Sequence, residues 1–100
     1  MILAAPFSAS RGSSDPKVAE LPGGLDICQF HKDHDPPHFH VRHGGRDALI
    51  TIADLRILRG TLASTHLRTV TEWALAHQSD LALNWVLARS GLEIWEIPYP

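Results

Sequence analysis

Seven histidines stand among the 100 residues, and five of them, His31, His34, His38, His40 and His43, crowd into the segment 31–43. His38-x-His40 on a strand places two imidazoles on one face, two residues apart. That spacing supplies two ligands to zinc, nickel, manganese or iron, since neutral imidazole suits all of them. Just upstream lies Asp33-His34-Asp35-Pro36-Pro37, which offers a third ligand. The candidate metal ligands are therefore Asp33, His34, His38 and His40, with Asp35 as a substitute. Positions left open on such an ion would suit hydrolysis by a bound water. The same residues permit metal-free chemistry. Two imidazoles, His38 and His40, beside Lys32 or Arg42 could cleave RNA, one taking a proton, the other returning it, the cation steadying the phosphoryl charge. A third reading has the histidines on a solvated sheet face, as decoration or as a surface for a partner protein. All three stay open from the residues alone.

These side chains need elements to carry them. Residues 25–31, Leu-Asp-Ile-Cys-Gln-Phe-His, read as a strand, and the two prolines stiffen the loop that follows. Residues 38–43 and 46–53 flank Gly44-Gly45, a two-residue hairpin signal. A two-residue turn pairs His43 with Arg46, Arg42 with Asp47, Val41 with Ala48, His40 with Leu49, Phe39 with Ile50 and His38 with Thr51. One face then holds Phe39, Val41, Ala48 and Ile50, and the other His38, His40, Arg42, Asp47 and Thr51. A one-residue slip would mix the faces. Residues 55–59 read as a further short strand.

The rest reads as helix. Leu67, Val70, Ala74, His77, Leu81, Trp85 and Ala88 form one stripe at helical period. Its unbroken phase predicts one long helix over residues 63–90, capped near Ser64 and ended at Gly91. A break at Gln78-Ser79-Asp80 is the alternative. His77 is expected as a hydrogen-bonded core histidine, and the extended tail 93–100 offers Ile94, Trp95 and Ile97 to cover an edge. The expected fold is α+β: a small antiparallel sheet, meander and hairpin, packed on one long C-terminal α-helix. Residues 1–20, rich in Ala, Ser, Gly and Pro, read as a flexible arm, with a single domain over 21–100. On the outer side of the helix Leu83 and Val86 are apolar, flanked by Ala82 and Leu87. A helix apolar all round needs a second cover, here expected from a twofold homodimer, with the arm's Ile2, Leu3 and Phe7 as the alternative cover.

Composition narrows the class. Hydrophobic residues make up 44% and charged residues 20%, as in ordinary globular domains. Cys28 is the only cysteine, which excludes an internal disulfide framework and a four-cysteine zinc ribbon. A net charge of −2 argues against a general nucleic-acid clamp. No apolar run approaches the roughly 20 residues of a membrane span, and the first ten residues lack a signal-peptide pattern, so a cytoplasmic location is expected.

Phe30, the string Asp33-His34-Asp35-Pro36-Pro37-His38-Phe39-His40, and Glu72-Trp73-Ala74 with Leu81 and Asn84-Trp85 together resemble a family, the small bacterial domain of unknown function 4160. The resemblance runs from about Leu25 to Pro98. It implies a bacterial cytoplasmic protein, the toxin-like member of a proposed toxin–antitoxin pair whose antitoxin-like partner, a domain of unknown function 2442 protein, is encoded nearby. It assigns no catalytic residues, although His34, His38 and His40 fall within its signature. Two departures stand out. The arm before Leu21 is longer than usual, and Ala63-Ser64-Thr65-His66 occupies the helix start where the family tends to place proline and basic residues.

Overall fold

In the computed structural model, which describes residues 16–100, alternation and turn chemistry build a five-stranded antiparallel sheet. Its strands are β1 (Lys17–Leu21), β2 (Leu25–Cys28), β3 (His38–His43), β4 (Arg46–Thr51) and β5 (Ile57–Arg59), and each pairs with the next in the chain. The β3–β4 register contains all six expected pairs, from His38↔Thr51 to His43↔Arg46. Gly44 and Gly45, at φ 57° and 81°, supply the left-handed turn that this register requires. Phe39, Val41, Ala48 and Ile50 are fully buried on one face, as the alternation predicts. Each large side chain among them contributes about 1.5–3 kcal/mol through burial.

Several expected boundaries shift. The strand expected over 25–31 ends at Cys28, and the one expected over 55–59 begins at Ile57. The expected arm over 1–20 falls for the most part outside the described residues. Its last part, however, belongs to β1, where Val18, Ala19 and Leu21 are buried in the core, so strand structure begins at Lys17 rather than near Leu21.

The largest correction concerns the helix. Two helices, α1 (Ser64–Ala76) and α2 (Gln78–Arg89), replace the single long one, and His77 between them leaves helical geometry at φ −127°, ψ 23°. Side chains at the joint reach backbone carbonyls outside both helices. Gln78 Nε2 donates to the carbonyls of Ile52 (2.8 Å) and Ala53 (3.2 Å). The His77 ring is held between the Asp80 carboxylate (3.3 Å) and the Pro100 carbonyl (3.1 Å). A one-residue joint barely alters the phase, so Val70, Trp73 and Ala74 of α1 and Leu81, Trp85 and Ala88 of α2 still face one core. Ala63 is the N-cap residue of α1 and provides no side-chain cap, contrary to the cap expected near Ser64. The far end is as expected. Gly91 takes φ 75°, and the Leu92 and Gly91 N–H groups donate to the carbonyls of Leu87 and Ala88.

The tail closes the domain. The Ile97 N–H donates to Val18 O on β1 at 2.8 Å, covering the edge of the sheet, and Trp73 Nε1 donates to Pro98 O at 2.9 Å. Ile97 is buried and Ile94 packs on the core, while the Trp95 side chain is half exposed. Asn84, fully buried in α2, grips the Trp95 backbone twice, donating to its O and accepting from its N–H, both at 2.8 Å. Among the described residues no helix is long and apolar enough to cross a membrane.

Candidate metal centre

Alternation along β3 sends His38 and His40 to the face opposite Phe39. Around these two histidines that face is covered, while Arg42 and Asp47 farther along it are exposed. The loop between β2 and β3 folds over it, bringing Phe30 edge-on to His40 (4.6 Å between centroids) and Asp33 against both imidazoles. Trp85 of α2 packs beside His38 at 5.2 Å. His38 is only 3% exposed as a result.

The two Nε2 atoms converge on a single carboxylate oxygen. Asp33 Oδ2 lies 2.9 Å from His40 Nε2 and 3.1 Å from His38 Nε2. One ligand atom from each of Asp33, His38 and His40 falls within 4.8 Å of the others. The other ring nitrogens face acceptors. His38 Nδ1 donates to Pro36 O at 2.7 Å, and His40 Nδ1 donates to Asp47 Oδ2 at 3.3 Å. The Pro36 acceptor favours the His38 tautomer with the proton on Nδ1, which leaves its Nε2 lone pair facing Asp33. His40 instead turns each ring nitrogen to a carboxylate, and its Nε2 hydrogen-bonds Asp33 Oδ2 at 2.9 Å. The 3.1 Å approach of His38 is no hydrogen bond, and its Nε2 is buried without a hydrogen-bond partner. Lone pair against carboxylate in a buried place is repulsive unless a proton or a metal cation lies between them.

Asp33 itself is held in its charged form. Its partial burial favours the neutral acid, but the hydrogen bond with His40, the His34 backbone N–H on Oδ1 (3.0 Å) and the charges of His38 and His40 outweigh that effect. Its carboxyl titrates below the ordinary value and is ionised at neutral pH.

Three of the four candidate ligands, Asp33, His38 and His40, thus come together, and His34 does not. His34 is exposed and reaches the cluster only through its backbone N–H. Lys32, in a left-handed conformation at φ 59°, and Asp35 are also exposed and outside the cluster. Arg42 stands opposite Asp47 in the register as expected. Yet the Asp47 carboxylate turns to His40, and the Arg42 guanidinium lies over Phe30, 5.3 Å from the ring centre. Sequence reasoning did not find Asp47 as a partner of His40, nor Arg89, whose guanidinium lies over Trp85. The available signals were the diagonal placing of Asp47 two residues before Leu49, the pairing partner of His40, and the four-residue spacing from Trp85 to Arg89.

The chain is therefore a small α+β domain that carries a cluster of two histidines and one carboxylate beside its central hairpin. It belongs to the family described as a domain of unknown function (DUF4160), whose profile matches residues 25–86, well over half of the chain. The match covers the whole cluster and stops short of the tail. No curated protein and no solved structure matches the chain.

Proposed function

We propose that Asp33, His38 and His40 bind a divalent transition metal, zinc, nickel or manganese, and that the domain is a metal-dependent hydrolytic protein. The observation that carries this reading is the buried His38 Nε2, unpartnered and aimed at an ionised carboxylate. Two imidazoles with one carboxylate are a donor set used by zinc and by other divalent transition metals. Pro36 O and Asp47 supply the outer hydrogen bonds that orient metal-bound imidazoles. Three protein ligands leave positions for water, whose proton a divalent ion makes easier to remove. A toxin-like role acting on RNA, in a cytoplasmic bacterial pair with an antitoxin-like protein, is the cellular setting we propose for it.

The test is the metal content of protein purified without chelator, followed by cobalt substitution. One equivalent of metal, with the visible bands of a low-coordinate cobalt site, is the expected result. A metal-free protein that takes up no cobalt overturns the reading. The weight then moves to acid–base work by the Asp33–His40 pair, whose 2.9 Å separation is also that of a hydrogen bond.

The twofold dimer is a proposal that rests on the outer face of α2, where Leu83 and Val86 are 52% and 58% exposed. Sedimentation should show a dimer that becomes monomeric when both are replaced by glutamate. A monomeric wild type at high concentration rules it out.

A further inference from the structure

Each histidine of the cluster is backed by an aromatic ring, and each ring carries an arginine. On one side the order is His40, Phe30, Arg42, with 4.6 Å between the first two ring centres and 5.3 Å from the guanidinium carbon to the Phe30 centroid. On the other it is His38, Trp85, Arg89, with 5.2 Å and 5.7 Å for the corresponding steps. The two cations come from distant parts of the chain. Arg42 follows His40 by two residues on the same face of β3, and Arg89 closes the last turn of α2. Arg42 has no carboxylate partner among the described residues, and Arg89 is steadied by Asp35 at 3.1 Å. Stacking on a ring holds a guanidinium flat while leaving its N–H edge available to an anion.

We infer that this site takes a phosphate ester, its phosphoryl group held by the metal ion together with Arg42 and Arg89; the inference rests on the metal reading above. Around the cluster Asp33, Asp35 and Asp47 are balanced by Lys32, Arg42 and Arg89, and a divalent ion makes the site positive. A phosphate monoester offers three non-bridging oxygens and up to two charges to an ion and two guanidiniums, whereas a carboxylate, and likewise a diester, offers two oxygens and a single charge. Arginine is the side chain best matched to both the geometry and the charge of phosphate.

The experiment uses the full chain loaded with manganese, and follows the phosphorus relaxation of three probes: inorganic phosphate, phenyl phosphate and diphenyl phosphate. Saturable broadening by phosphate and by at least one ester is expected, and the stronger ester decides between a monoester and a diester substrate. Arg42→Gln and Arg89→Gln should each weaken binding about tenfold or more, without changing manganese stoichiometry or melting temperature. Retained manganese with no phosphate binding, unchanged affinity in both variants, or acetate competing as well as phosphate overturns this inference and leaves the metal reading intact. Failure to hold manganese or any other divalent ion overturns both.

Discussion

Replacing His38 by alanine should reduce metal affinity more than about a hundredfold, beyond the tenfold to hundredfold loss typical when an outer hydrogen-bond partner of a ligand is removed. Asp47→Asn should fall within that smaller range, because it weakens the hold on His40 Nδ1 without removing a ligand. His34→Ala should leave affinity unchanged, since its side chain stands apart from the cluster. This ordering separates a metal centre from a general histidine-rich surface, for which the three histidines would count alike. Competition titration against a chromogenic chelator measures all three variants on one scale. Equal losses for His34→Ala and His38→Ala would overturn the assignment of ligands.

The largest effect on stability is expected at Asn84. Its amide satisfies both the N–H and the carbonyl of Trp95, and no other side chain is hydrogen-bonded to that backbone among the described residues. Asn84→Ala leaves two backbone groups beside a buried cavity, at about 1–3 kcal/mol each where water cannot reach them. A total of about 3 kcal/mol corresponds to a fall in melting temperature on the order of 10–20 °C for a domain of this size. Asn84→Asp should be no better tolerated, because it sets a carboxylate oxygen against the Trp95 carbonyl. Thermal melts followed by tryptophan fluorescence would read the effect. A midpoint within about 2 °C of wild type for Asn84→Ala would show that the clamp contributes little.

The hairpin was fully legible in the sequence because two independent constraints agree. Gly44-Gly45 fixes the turn, alternation fixes the faces, and a register error would violate both. The helix joint was illegible for the opposite reason. Hydrophobic phase reports which side of a helix is buried, and one displaced residue at His77 leaves that phase almost untouched. What breaks the helix are ties from Gln78 and His77 to backbone carbonyls distant in the chain. The candidate centre was legible in half. The His38-x-His40 spacing follows from the period of a strand, and the structure keeps it. Whether Asp33 or His34 turns inward depends on the path of the loop, where Lys32 takes a left-handed conformation that no residue type there announces. The cover over the centre, from Phe30 and Trp85, depends on tertiary packing that periodicity does not encode.

The sequential strand order carries a consequence for how the domain assembles. Every strand bonds only to its immediate neighbour in the chain, so the sheet can grow by successive short loop closures of low entropic cost. The contact between Ile97 and Val18 is of another kind, since it joins the two ends of the described chain. Nothing local assists it, and it becomes inexpensive only after the sheet and helices have brought its partners near. Loop-closure cost alone therefore favours an order that starts at the hairpin of β3 and β4, which carries His38 and His40, and seats the tail last. On that order His38 and His40 would already stand in register on β3 before the final strap is fastened.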